Sequence, residues 1–140
     1  MNDVVLFEKR KDIIVASINR PHKLNAADLD VYHELERALE MDAKGYIFTG
    51  VGDHFSAGDD ITMFSFEDYS GADDFIEDVQ KIFKDVEAVS RPVVAAVNGY
   101  ALRLRTGPGM RCHSLHPGGL FRLAGNNQWP GAAQCDRKGS

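Results

Sequence analysis

The densest gathering of chemically able groups lies in Gly50-Val51-Gly52-Asp53-His54-Phe55-Ser56-Ala57-Gly58-Asp59-Asp60. It sets three carboxylates and an imidazole among three glycines. Asp53, His54, Asp59 and Asp60 invite a metal reading, but their spacing matches no ligand pattern, and no metal is expected. His22 and His33 stand in charged surroundings and read as surface residues. The two cysteines, Cys112 and Cys135, have neither metal-type spacing nor a disulfide framework.

The segments around this loop must position it. Val4 to Glu8 and Ile13 to Ile18 are β-rich runs separated by Lys9-Arg10-Lys11-Asp12, which predicts a hairpin. Asn19-Arg20-Pro21-His22 breaks the pattern. Asn25 is a candidate N-cap for a helix from Ala26 to about Met41, with Leu29, Tyr32, Leu35, Ala38 and Leu39 at helical spacing. Lys44 and Gly45 end it, and Tyr46 to Thr49 suits a buried strand. Ile61 to Phe66 could form a short helical turn. Ala72 to Val89 carries one apolar face of Phe75, Ile76, Val79, Ile82, Phe83, Val86 and Val89, which predicts a helix buried in the core rather than on lipid. Arg91-Pro92 stops it, and Val93 to Val97 is a second buried strand before the turn Asn98-Gly99. Strand, helix, strand, helix, strand is an α/β order whose crossovers imply parallel strands.

The chain of 140 residues is enough for one small domain. With 44% hydrophobic and 26% charged residues it has the composition of a soluble globular protein. No run approaches the length of a membrane helix, the first ten residues do not resemble a secretory signal, and a reduced, cytoplasmic setting is expected. The net charge of −5 hides a split. Met1 to Tyr100 holds 10 Lys+Arg against 20 Asp+Glu, while Ala101 to Ser140 holds 6 against one, Asp136. After Leu102 both hydrophobic periods vanish. Residues 102–140 are therefore expected to form a disordered or poorly packed tail, distinct from residues 1–101.

Three segments, in order and at the right spacing, resemble the enoyl-CoA hydratase/isomerase (crotonase) family. Ile18-Asn19-Arg20-Pro21-His22-Lys23-Leu24-Asn25-Ala26 is similar to its N-R-P-x-x-x-N-A stretch. Ile47-Phe48-Thr49-Gly50 with Phe55-Ser56-Ala57-Gly58-Asp59-Asp60-Ile61 is similar to T-G…F-S-A-G-x-D-I/L. Arg91-Pro92-Val93-Val94-Ala95-Ala96-Val97-Asn98-Gly99-Tyr100-Ala101 is similar to K/R-P-V-I-A-A-V-N-G-x-A. The likeness covers about residues 4–101, under half of a typical family domain, so an incomplete ββα spiral is expected.

The resemblance implies acyl-CoA chemistry: 2-enoyl-CoA hydration or double-bond isomerisation, with the CoA thioester as substrate and no separate cofactor. The family polarises the thioester carbonyl with two backbone N–H groups, an oxyanion hole of fixed dipoles sheltered from water. By motif position one donor is the backbone N–H of Asp59, after Gly58, where glycine permits unusual φ and close backbone approach to a ligand. Ala57, Asp60 and Ile61 should line the thioester and adenine region, and Lys23 and Leu24 should border the CoA channel. Asp59 brings a carboxylate beside a site meant for an anion, so its side chain must point away. Intact family members form trimers or hexamers. Here the later turns and partner surfaces that would cover the apolar strand faces are lacking, which predicts poor solubility or aggregation.

The second donor and the acid/base glutamates should follow Ala101, in motifs resembling G-G-G-x-E-L-A-x-x-C-D and F-G-x-P-E. Neither is present; Arg103-Leu104-Arg105-Thr106-Gly107-Pro108 stands instead. The chain as written therefore lacks the groups that would move protons, and an inactive product is expected. Reading the tail one nucleotide out of register permits G-C-E-L-A-L-A-C-D-V-I across codons 103 to 113 and F-G-L-P-E-I across codons 121 to 126. The hidden glutamates fall at the codons of Arg105 and Gly125, 125 − 105 = 20 codons apart, the separation the family uses. A frameshift, or an exon joined in the wrong phase, accounts for the basic tail better than a nucleic-acid-binding role, and neither nucleic acid nor membrane is expected as a partner. A non-catalytic fragment that binds CoA or pairs with an intact subunit is the alternative.

Overall fold

In the computed structural model, residues 3–63, 71–101 and the backbone of residues 120–124 are described. The chain opens with the expected hairpin. Strands β1 (Val5–Arg10) and β2 (Ile13–Ile18) pair antiparallel, from Val5 opposite Ile18 to Arg10 opposite Ile13. Lys11 takes a left-handed φ of 54° in the two-residue turn. Helix α1 (Leu29–Glu40) then crosses to β3 (Gly45–Gly50), and helix α2 (Ala72–Ala88) crosses to β4 (Val93–Ala96). Both crossovers join parallel strands, β2 to β3 and β3 to β4. The sheet order follows the chain, and a fifth strand, β5 (Leu120–Ala124), adds antiparallel to β4. That strand lies in the segment where neither hydrophobic period predicts an element. The expectation of disorder or poor packing for the rest of residues 102–140 falls outside the described residues.

Alternation decides which strand face meets the helices. Ile14, Ala16 and Ile18 of β2, Tyr46 and Phe48 of β3, and Val93 of β4 share one buried face with Val5. Against it lie Val31, Tyr32, Leu35, Ala38 and Leu39 of α1, backed by Phe75, Val79, Ile82 and Val86 of α2. The α2 stripe is core, as its spacing predicts. His22 and His33 are exposed, also as expected.

The start of α1 departs from the sequence reading. The helix begins at Leu29, not Ala26, and its N-cap is Asp28, whose carboxylate accepts from the Val31 N–H at 3.0 Å. A carboxylate there both satisfies an orphan donor and faces the positive end of the helix dipole. Asn25 is left-handed at φ 55° and its amide is engaged elsewhere, so it cannot serve. The other end is closed by one residue nearby in sequence and one distant. Tyr46 Oη donates to the carbonyls of Leu39 (3.0 Å) and Met41 (2.8 Å), and Arg91 donates to Leu39 (3.0 Å) and Ala43 (2.9 Å). The Arg91 guanidinium also lies 4.9 Å over the Tyr46 ring. Arg91 of the Arg-Pro pair thus caps a helix about fifty residues earlier.

Candidate functional site

The loop after β3 is built by close backbone approach. A Cβ on Gly50 would come within 2.2 Å of the His54 carbonyl, and one on Gly99 (φ 132°) within 1.9 Å of the Asp53 carbonyl. Only glycine lets these turns stack so tightly. Asn98 then ties them: its amide donates to Gly50 O and Gly52 O, each at 2.8 Å, and its oxygen accepts from Gly50 N at 3.3 Å. Asn25, 1% exposed, works from the other side, donating to Val51 O (2.9 Å) and His54 O (2.8 Å) while accepting from Arg20 N (2.9 Å). The asparagines of two sequence motifs therefore grip one loop.

The next residues run as a strand-like ribbon. Phe55 N and Ser56 N both donate to Tyr100 O at 3.0 Å, and Ala57 N donates to Leu24 O at 2.9 Å. Ser56 is fully buried, its hydroxyl donating to Asn25 O (2.8 Å) and accepting from Gly58 N (3.0 Å). Gly58, at φ 95°, accepts from Ala27 N, and Asp60 N donates to Ala27 O, both at 2.8 Å. This parallel bridge uses the carbonyl before Asp59 and the N–H after it. The Asp59 N–H is consequently turned to the side opposite Ala27. The Asp59 side chain goes to α1, where its Oδ1 accepts from Tyr32 Oη at 2.5 Å. The carboxylate is thus drawn toward α1.

Asp60 is the centre of an ionic cluster. It is 5% exposed and accepts from Arg20 Nη2 (3.1 Å), Lys23 Nζ (3.0 Å), Thr62 Oγ1 (2.6 Å) and Thr62 N (3.1 Å). Arg20 is also paired with Asp28 at 3.2 Å and donates to Ala26 O at 2.7 Å. Burial alone would raise the Asp60 pKa, but hydrogen bonds from Thr62, Lys23 and Arg20 override it and hold the carboxyl well below the usual range. Asp60 is a structural anion, satisfied by the protein.

The residues assigned from the motifs come together. Lys23 is tied to Asp60, Leu24 to Ala57, and Asp59 lies between Gly58 and Asp60. Leu24 and Ile61 are exposed at 53% and 61%, flanking the half-exposed Lys23 side chain with apolar surface. His54 stays apart, its ring centroid 4.9 Å from that of Tyr100 and tilted 38° to it. Among the described residues no group of three or more His, Cys, Asp or Glu is placed to hold a metal. No described helix is long and apolar enough to cross a membrane. Sequence reasoning left Tyr32, Ser56 and Thr62 without roles at the site. Tyr32 showed only as one more apolar-stripe position, and its spacing gave no sign that the hydroxyl meets Asp59.

A loop held by both asparagines, an Arg-Asp cluster and paired glycines occupies residues 18–61 and 91–101. The family model for enoyl-CoA hydratase/isomerase matches residues 8–111 of this chain. The chain belongs to the enoyl-CoA hydratase/isomerase family. It is 34% identical over 129 residues to a crotonyl-CoA hydratase of Syntrophomonas wolfei, covering 88% of this chain and 47% of that protein. To human enoyl-CoA delta isomerase 2 it is 32% identical over 92 residues, covering 60% of this chain and 23% of the isomerase. The crystal structure of an enoyl-CoA hydratase from Thermoplasma volcanium superposes with a TM-score of 0.63 at 30% identity, over 70% of this chain and 41% of the other. The chain thus spans less than half the length of these relatives. The family-model match continues ten residues past Ala101, and the Syntrophomonas alignment also reaches into the later segment.

Proposed function

We propose that this chain carries the thioester-holding part of an acyl-CoA site and lacks the groups that move protons. The observation that supports the reading is the Ala27–Asp59 bridge, which turns the Asp59 N–H away from Ala27 while the Asp59 carboxylate accepts from Tyr32. A backbone donor fixed in this way suits a developing oxyanion, because it needs no reorganisation when charge appears. The exposed Leu24 and Ile61 beside the Lys23 ammonium offer apolar and cationic surface for the pantetheine and nucleotide portions of CoA. Residues 88–140 contain no glutamate. Hydration of a 2-enoyl-CoA or shift of its double bond needs a positioned acid and base. That reaction would belong to a product of the shifted frame, which the residues permit to carry glutamates at codons 105 and 125.

Two measurements test this. The full chain should show CoA-dependent protection of residues 55–61 from proteolysis, with no turnover of crotonyl-CoA. A soluble chain with no protection would remove the acyl-CoA reading; turnover would remove the claim of inactivity. The nucleotide sequence from codon 95 onward decides the frame. A shifted frame that lacks the two glutamate motifs would show the basic segment to be genuine, and a binding role would replace the enzymatic one.

A further inference from the structure

The groups that hold Asp60 differ in how firmly they are themselves placed. Arg20 has a side chain only 10% exposed, and besides Asp60 it is paired with Asp28 at 3.2 Å and donates to Ala26 O at 2.7 Å. Thr62 reaches Asp60 Oδ1 from two residues on, through its hydroxyl at 2.6 Å and its N–H at 3.1 Å. Lys23 is the loose member. Its side chain is 40% exposed, its ammonium stands 3.0 Å from Asp60 Oδ2, and its other contact, Thr62 Oγ1, lies at 3.5 Å. An ion pair with one partner this exposed adds little to stability. With Lys23 withdrawn, Asp60 keeps Arg20 on Oδ2 and Thr62 twice on Oδ1, so no buried charge is stranded. Arg20 has no such freedom, because its departure would strand Asp28 and the Ala26 carbonyl as well.

We propose that Lys23 is a transferable cation, resting on Asp60 in the free chain and moving to a phosphate group of the CoA nucleotide when the ligand binds. The inference rests on the acyl-CoA reading above, and it names the group that meets the phosphorylated end of the ligand. Lysine suits the task. Its ammonium is a point charge on a flexible stem, and it meets phosphate without the fixed fork geometry of a guanidinium. Asp60 then serves two ends: with Arg20 and Thr62 it ties the loop together, and with Lys23 it keeps a cation in reserve.

The test uses the full chain and its Lys23→Gln variant, with acetyl-CoA and S-acetylpantetheine (a thioester without phosphate) as probes in calorimetry. A ligand-free arm comes first. The urea midpoint of Lys23→Gln should match wild type, because Arg20 and Thr62 still hold Asp60. A clear fall would show that Asp60 depends on Lys23, and would overturn the inference before any ligand is added. Acetyl-CoA should bind about tenfold more weakly to Lys23→Gln, and S-acetylpantetheine within about twofold of wild type. The acetyl-CoA loss should shrink as ionic strength rises. Equal losses for both probes, or none for acetyl-CoA, would refute the transfer and leave the acyl-CoA reading intact. In nitrogen-15 spectra acetyl-CoA should shift the Lys23 ammonium signal and leave the Arg20 guanidinium in place. A joint shift would show the cluster moving as one, against the transfer. If wild type binds neither thioester, the acyl-CoA reading fails, and inorganic pyrophosphate decides the rest. Pyrophosphate binding that Lys23→Gln weakens would keep Lys23 as a phosphate-seeking cation. No binding, or binding that the variant retains, would overturn it.

Discussion

Arg20 Nη2 stands 3.1 Å from Asp60 Oδ2, and this contact joins the segment after β2 to the far end of the loop after β3, forty residues later. Both side chains are nearly buried, at 10% and 5% exposure. A buried pair adds little over an apolar pair of the same shape, but breaking it leaves a charge with reduced compensation. Here Asp28 still faces Arg20 at 3.2 Å, which limits the damage. Asp60→Ala should therefore cost about 3 kcal/mol in urea denaturation, at the lower edge of what buried-pair truncations show.

The same carboxylate sets an acid limit. Its pKa is held below the usual Asp value in the folded chain, so the folded state binds its proton less readily than the unfolded state. The Asp60 contribution is thus complete above the unfolded pKa of about 4 and is lost as pH falls through the folded value. Stability against pH should decline more steeply below about pH 4 in wild type than in Asp60→Asn. Parallel acid limbs for the two proteins would show that Asp60 is not the group responsible.

Asn25 provides a test of polarity at constant shape. Its amide nitrogen donates to the carbonyls of Val51 and His54, and it is 1% exposed. Asn25→Asp would set a carboxylate against two carbonyl oxygens and should destabilise by about 3 kcal/mol at pH 7. Part of the loss should return as pH falls, because a protonated acid can again donate. A variant as stable as wild type at pH 7 would contradict the assigned amide orientation.

Glycine positions of the same loop should differ sharply. Gly99→Ala brings a Cβ within 1.9 Å of Asp53 O at a φ of 132°, and should cost about 3 kcal/mol or more, or prevent folding. Gly52 also has positive φ, 80°, but a Cβ there meets nothing within 4 Å. Gly52→Ala should cost only about 1 kcal/mol, the price of left-handed backbone in an L-residue. Thermal melts of the two variants give the comparison directly.

The cap on α1 predicts a non-equivalence of Arg and Lys. Arg91→Ala loses two carbonyl contacts and the stacking on Tyr46, and should cost about 2 kcal/mol. Arg91→Lys should recover less than half of this, because one ammonium cannot span Leu39 O and Ala43 O while staying over the ring. Full recovery by lysine would indicate that charge alone, rather than the planar fork, closes the helix.

The elements of this protein were legible in its sequence because they depend on local periodicity. The alternation of Ile14, Ala16 and Ile18 marked β2, and the stripe from Phe75 to Val86 marked α2, since burial of one face needs only the right spacing. The motifs also marked which residues gather, down to Lys23, Leu24, Ala57, Gly58, Asp59 and Asp60. What periodicity could not express was which polar group meets which. Asn25 and Asp28 are both acceptable caps, and the choice fell to Asp28 because the Asn25 amide is needed by carbonyls across the loop. Tyr32 counted as one apolar position among several until folding placed its hydroxyl on Asp59. Arg91 read as a helix stop, and only the parallel β3–β4 pairing set it beside the open end of α1. Strand β5 carries no period of its own, and its pairing with β4 is a property of the sheet edge it joins. Hydrophobic burial follows from a residue's type and its neighbours in the chain. A hydrogen bond requires two particular atoms at a particular distance, and only the tertiary structure brings those atoms together.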